Sequence, residues 1–210
     1  MYSNEKIVMN NGIALPTIQL GTWLMDNQEA KKAVQDAIEL GYRAFDTAKD
    51  YGNEKGVGKG IWNSDIERED LFLTTKIPSN IKDYKNTKKA IDMALDAFEL
   101  DYIDLMLIHT PQPWIEFNQT SNRHYEGNLE CWKAMEEAVK TGKVRSIGAS
   151  NFLKEDIDNI LKNSSTVPAV NQIEVHIGHT PIKLIDYCQE QGITIEAYSP
   201  LAHGKLLKIH

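Results

Sequence analysis

The sequence is poor in cysteine, in basic charge and in long apolar runs, and each shortage closes off a class of protein. Only Cys131 and Cys188 occur, with no metal-ligand spacing between them, so buried free thiols in a reducing compartment are expected. The 23 Lys and Arg are outnumbered by 30 Asp and Glu, giving a net charge of -7. A nucleic-acid surface would be basic, so nucleic acid is not an expected partner; a local basic pocket for an anionic cofactor remains compatible. No apolar run approaches the length that spans a bilayer, and Met1–Lys6 lacks the apolar core of a signal peptide. The expectation is a cytoplasmic protein with no membrane partner. Hydrophobic and charged fractions are ordinary for a globular chain, and 210 residues suffice for one domain with a substantial core, taken as 1–210.

Several signature motifs are missing too. No G-x-G-x-x-G follows the first strand, which disfavours a dinucleotide-binding open sheet, and there is no P-loop. The glycine-rich run Gly52–Gly60 lacks ordered phosphate-loop spacing and reads better as a loose helix packed closely on the barrel. No thiol or serine has an adjacent base, so acyl transfer is not expected. His176 and His179, with Glu174 nearby, form a weak metal candidate; exposed loop histidines are the commoner outcome, and no metal site is expected.

What is present is strand–helix alternation. Asn11-Gly12 joins two short apolar-rich runs, predicting a hairpin with a type I′ turn. Seven strands follow, near Gln19–Thr22, Arg43–Thr47, Leu71–Lys76, Ile103–His109, Val144–Ala149, Ala169–Val175 and Thr194–Tyr198. Helices are predicted between them at Asp26–Leu40, Asn53–Asn63, Lys85–Leu100, Glu126–Thr141, Lys154–Lys162 and Thr180–Gln191. Asp26 with Glu29 forms a capping box, Asn53 and Thr180 are expected N-caps, and Gly41, Gly142 and Gly192 stand just past helix ends. The strands are continuously apolar rather than alternating, as in parallel sheets covered on both faces or closed into a barrel. The long segment Thr110–Tyr125 reads as a functional loop.

Polar residues nevertheless gather at strand C-terminal ends: Asp46, Lys76, His109, Ser150 with Asn151, Asn171 with Gln172, and Tyr198 with Ser199. In a parallel barrel these ends share one face. Singly, each has a plainer role: Asp46 and Lys76 as a structural ion pair, His109 as a core histidine, Tyr51 as a turn residue. Together they make a proton donor. A lysine near a phenol lowers its pKa toward neutrality, a carboxylate behind the lysine keeps it charged, and a histidine can hydrogen-bond a carbonyl oxygen.

These residues carry a resemblance. Gly21-Thr22-Trp23, Phe45-Asp46-Thr47-Ala48 with Tyr51-Gly52-Asn53-Glu54, Thr75-Lys76, Leu107-Ile108-His109, Gly142 to Phe152, Asn171-Gln172-Ile173-Glu174 and Ala197-Tyr198-Ser199-Pro200-Leu201 resemble the aldo-keto reductases, in order from about Ile13 to Leu201. The resemblance implies a TIM-type (β/α)8 barrel with an N-terminal β-hairpin. It implies reduction of aldehydes or ketones with NADPH, or NADH in its place, on a small-molecule carbonyl substrate. By that likeness Tyr51 is the general acid, Lys76 and Asp46 tune it, and His109 orients the carbonyl. Tyr198 would stack on the nicotinamide, Ser150, Asn151 and Gln172 would bind its carboxamide, and Gly21, Thr22, Ser199 and Leu201 would line the cofactor path. Trp23, Trp114 and Phe117 would shape the substrate pocket.

The sequence departs from that pattern after the seventh strand: the eighth β/α unit, which carries the basic grip on the adenosine phosphate, is missing from this chain. Lys205–His210 reads as a chain running on, so a longer parent protein is expected. The competing reading is a barrel fragment or cofactor-sensing subunit that binds a partner. Physiological substrate, choice of cofactor and oligomeric state are left open by the sequence.

Overall fold

The computed structural model describes residues 5–202 and Gly204. Residues 1–4 of the leader reading and the Lys205–His210 run lie outside them. A hairpin of β1 (Lys6–Val8) and β2 (Ala14–Pro16) leads into seven parallel strands: β3 (Leu20–Gly21), β4 (Ala44–Asp46), β5 (Phe72–Ile77), β6 (Ile103–Ile108), β7 (Val144–Ser150), β8 (Val170–Glu174) and β9 (Thr194–Tyr198). They pair in sequence order from β3 to β9. The crossovers are α1 (Asn27–Glu39), α2 (Glu54–Trp62), α3 (Tyr84–Phe98), α4 (Tyr125–Lys140), α5 (Lys154–Asn163) and α6 (Ile182–Glu190).

The sheet is curled. Gln172 Nε2 on β8 donates to Asp46 Oδ2 on β4 at 2.8 Å, although the two strands lie four places apart in the order. A flat sheet would hold them roughly 19 Å apart. This is the α/β half-barrel of the TIM-type fold that the strand–helix alternation predicts.

Curling sorts each strand into outward and inward residues. Outward residues such as Phe45, Leu73, Ile77, Met106, Ile108 and Ile147 pack beneath the helices with Val34, Ile91, Phe98, Trp132 and Ile157. Inward residues split by height. At the strand starts Ala44, Phe72, Leu105, Leu107 and Val170 form a second apolar cluster, sealed by Met9 and Leu15 of the hairpin. Toward the strand ends the same face turns polar with Asp46, Thr74, Lys76, Ser150 and Gln172, all but Asp46 fully buried.

Local chemistry follows the sequence with three corrections. The α1 capping box is present: Asp26 Oδ1 accepts from the N–H groups of Gln28 and Glu29, and Glu29 Oε2 from Asp26 N–H. The hairpin turn is not type I′, since only Gly12 takes a positive φ of 83°. Its N–H bonds to Met9 O, while the Asn11 side chain accepts from Ile13 N–H and donates to Ser146 Oγ, an anchor that fixes Asn11 outside the left-handed region. Asn53 stands at the start of α2 but makes no side-chain cap. Its buried amide donates to Thr22 O and Met25 O and accepts from Thr47 Oγ1 at 2.7 Å, tying three segments together. Pro181 rather than Thr180 precedes α6, because Thr180 Oγ1 turns back to His176 O.

The glycine-rich run enters a helix, as expected, but its glycines press against neighbouring helices rather than against the barrel strands. A Cβ on Gly56 would lie 2.2 Å from Asn27 O of α1, and one on Gly58 2.6 Å from Phe98 O of α3. Both cysteines are buried and free. Among the described residues no helix is long and apolar enough to cross a membrane.

Candidate active site

Register decides which polar residues meet. Asp46 pairs with Thr74, Lys76 with Leu107, Ser150 with Gln172, and Gln172 with Glu196. The strand ends open into a cavity of about 680 Å³, within the range of small-ligand sites. Lys76 lies beneath its floor, its side chain 1% exposed. Nζ is 2.6 Å from Asp46 Oδ1 and donates to Thr47 O at 2.9 Å, and it stands 5.2 Å from the centre of the Tyr51 ring. Burial alone would lower the lysine pKa; the charges of Asp46 and Tyr51 and the bond to Asp46 outweigh it, so the ammonium is held charged.

Tyr51 ends a short 3-10 turn, Lys49–Tyr51, and the left-handed Gly52 (φ 73°) stops it. Burial pushes the phenol above its ordinary pKa; Lys76 pulls it down, and the negative charge of Asp46 adds to the rise. The expected tuning toward neutral pH is therefore absent in the chain by itself, because desolvation outweighs the lysine.

The ring of His109 sits edge-on to Tyr51 at 5.7 Å and to Trp114 at 5.1 Å. Its Nδ1 faces Asp50 Oδ2 at 3.1 Å. The same oxygen accepts from Trp114 Nε1–H at 3.2 Å and from Ser79 N–H at 3.4 Å. Burial would raise Asp50, yet these donors hold it below the usual carboxylate value. Burial lowers the His109 pKa below its ordinary value, against the pull of Asp50.

The loop between β6 and α4 brings Trp114 over the cavity. Buried Gln112 holds that loop through Thr120 O, Asn122 O and the N–H of Asn118. Phe117 stands against Trp114, ring to ring at 5.3 Å, and is not on the cavity wall. Opposite, Tyr198 donates its hydroxyl to Asn151 Oδ1 at 2.8 Å, and burial raises its phenol to about 12. Asn151, in the left-handed region at φ 61°, donates to His109 O, and Ser150 Oγ donates to Gln172 O. A Cβ on Gly21 would meet nothing within 4 Å, so that wall is open.

Of the residues singled out in the sequence, Gly21, Trp23, Asp46, Tyr51, His109, Trp114, Ser150, Asn151, Gln172, Tyr198 and Ser199 line the cavity. Thr22 is buried behind it, bonded to Asp46 O, and Leu201 is half exposed away from it. The sequence reading missed Asp50 and Glu174 on the wall and Glu196 beneath it. Asp50 immediately precedes Tyr51, and Glu196 stands two residues before Tyr198 on the same strand face; those spacings were the available signals. His176 is half-buried rather than exposed, its Nε2 3.6 Å from Glu174 Oε1. Among the described residues no His, Cys, Asp and Glu group could hold a metal ion.

The Aldo/keto reductase family model matches residues 13–209. Glyoxal reductase of Bacillus subtilis (strain 168) is 40% identical over 204 residues, 97% of this chain and 70% of that protein. An aldo/keto reductase from Brucella melitensis superposes with a TM-score of 0.88 at 38% identity, covering 95% of this chain and 74% of that one. A Bombyx mori aldo-keto reductase solved in complex with NADP gives a TM-score of 0.83 at 36% identity, over 95% and 67% of the two chains.

Proposed function

Since the chain belongs to the aldo/keto reductase family, we propose that it reduces a small aldehyde or ketone to the alcohol with a nicotinamide cofactor, NADPH or NADH in its place. The observation that carries this reading is a buried ammonium between a carboxylate and a phenol: Lys76, 2.6 Å from Asp46 and beside the Tyr51 ring, at the floor of the cavity. The names of a glyoxal-reducing relative and of an NADP-bound neighbour support the substrate class and the cofactor.

The donor set fits a nicotinamide. Tyr198 offers a flat ring fixed through Asn151, Gly21 leaves the wall open, and Ser150, Asn151 and Gln172 bring hydroxyl and amide groups to one wall, with Ser199 beside them. Thr22 and Leu201 belong to the same proposed path. When bound, the cofactor supplies a hydride to the carbonyl carbon. Tyr51 supplies the proton: its O–H bond breaks as a new O–H bond forms on the substrate oxygen. The tyrosinate left behind is stabilised by the Lys76 ammonium, which Asp46 keeps charged, and solvent returns the proton. A phenol raised by burial gives up its proton only as charge builds on the substrate oxygen, and the adjacent ammonium then favours the tyrosinate. His109 and Trp114 position the substrate, with Trp23 across the mouth and Phe117 bracing Trp114.

The test is loss of nicotinamide absorbance on adding methylglyoxal. Tyr51→Phe keeps the ring and removes the proton, so kcat should fall by about 100-fold or more while cofactor binding, followed by protein fluorescence, persists. Undiminished turnover in Tyr51→Phe overturns the mechanism.

A further inference from the structure

Beneath the cavity wall stands an acid that takes no part in the proton transfer just described. Glu196 on β9 pairs in register with Gln172 on β8. Gln172 Nε2 donates to Glu196 Oε1 and, at 2.8 Å, to Asp46 Oδ2. An amide nitrogen carries two hydrogens and accepts nothing. Both hydrogens are engaged by carboxyl oxygens, and the reverse orientation would set the amide oxygen against those same oxygens. The network thus fixes which way the amide points. What Gln172 keeps for a ligand is Oε1, an acceptor, on a residue that lines the cavity. Asp46 alone would hold one hydrogen and let the amide pivot about that bond. Glu196 is the second point, and it sets the plane.

The fold itself has little use for an acid at this position. Glu196 Oε2 is buried with no partner, and its Oε1 shares one amide with a second carboxylate, Asp46. A buried oxygen without a hydrogen bond destabilises the native state, and an apolar side chain could pack β9 against β8 without that penalty. The benefit of the acid lies in what it does to Gln172.

Resting on the reductase reading above, we propose that Glu196 is a positioning residue for the nicotinamide. It fixes the Gln172 amide so that Oε1 accepts from the carboxamide N–H of the cofactor. The wall thereby recognises the amide hydrogens of the nicotinamide and not only the shape of its ring.

Two nucleotides separate recognition from shape: NADP+ and its 3-acetylpyridine analogue, which keeps the carbonyl oxygen but has a methyl group where the amide nitrogen was. Both are titrated by quenching of protein fluorescence. Wild type should bind NADP+ more tightly by about 10-fold, the worth of one hydrogen bond whose loss leaves an acceptor unpaired. Glu196→Leu removes the second acceptor, so the preference should fall toward parity, through weaker binding of NADP+. Glu196→Gln offers an amide oxygen in the same place and should keep the preference. Glu196→Ala gives the same reading should the leucine variant fail to fold. A preference absent in wild type, or one as large in Glu196→Leu as in wild type, overturns the proposal; so does a variant that weakens both nucleotides alike. The amide is also read without cofactor by NMR, its two side-chain hydrogens being assigned by their loss in Gln172→Met. Their exchange with solvent should be slow in wild type and faster by about 10-fold or more for one of them in Glu196→Leu, as the loss of one hydrogen bond requires. Equal exchange in the two proteins overturns the proposal. If neither nucleotide binds wild type, the reductase reading falls, and the exchange measurement still decides whether Glu196 holds the amide.

Discussion

Asp46 makes two bonds that no neighbour in the chain could supply, Oδ1 to Lys76 and Oδ2 to Gln172. Gln172 Nε2 also donates to Glu196, which brings two carboxylates to one amide. Glu196 Oε2 is buried with no partner. Burial, and then the charge of Asp46, push the Glu196 pKa up. The native state thus holds this proton over a pH range where the unfolded chain has released it, and stability falls as pH rises from about 4.5 toward neutrality. Glu196→Gln removes that dependence. Its melting temperature should gain on wild type between pH 5 and pH 8, and a parallel pair of profiles would refute the protonated state. Asp46, Lys76 and His109 were legible as misplaced polar residues at the ends of apolar strands. Asp50 and Glu196 were not, because an acid in a loop or on an edge strand is ordinary until its partners are known.

Helices show where local rules suffice. The Asp26–Glu29 box and the left-handed Gly41, Gly142 and Gly192 (φ 96°, 77° and 72°) satisfy helix ends with groups a few residues away, so sequence alone locates them. Asn53 fails as a cap because its amide has stronger buried partners at Thr22, Met25 and Thr47, none of which lies in its own helix. α2 is a further case: its glycines are poor helix formers, yet they let its backbone approach α1 and α3. Gly58→Ala places a methyl 2.6 Å from the backbone oxygen of Phe98, so α2 must shift. We expect a loss of about 1–3 kcal/mol, read as a lower urea midpoint, despite the roughly 1 kcal/mol that alanine gains in helix preference. An unchanged or higher midpoint would mean that α3 yields without cost.

Over the whole molecule, the curled sheet separates stability from chemistry by height. The hairpin closes the end opposite the cavity: Asn10 donates to Pro168 O, Asn11 to Ser146 Oγ, and Leu15 is buried with Phe72, Leu105 and Leu107. Leu15→Ala should cost about 2–5 kcal/mol in denaturant unfolding while KM for the carbonyl stays as in wild type; a raised KM would show that the two ends are coupled. The sequence by itself determined the strand–helix order, the apolar outer faces and the acid–phenol loop, because backbone periodicity, capping and strand hydrophobicity act over a few residues. Only the tertiary structure decided that β4 and β8 face each other, that Asp50 stands against His109, and that the Tyr51 pKa rises instead of falling. Each of those depends on distances between segments far apart in the chain and on how completely water is excluded between them, quantities that exist only once the sheet has curled.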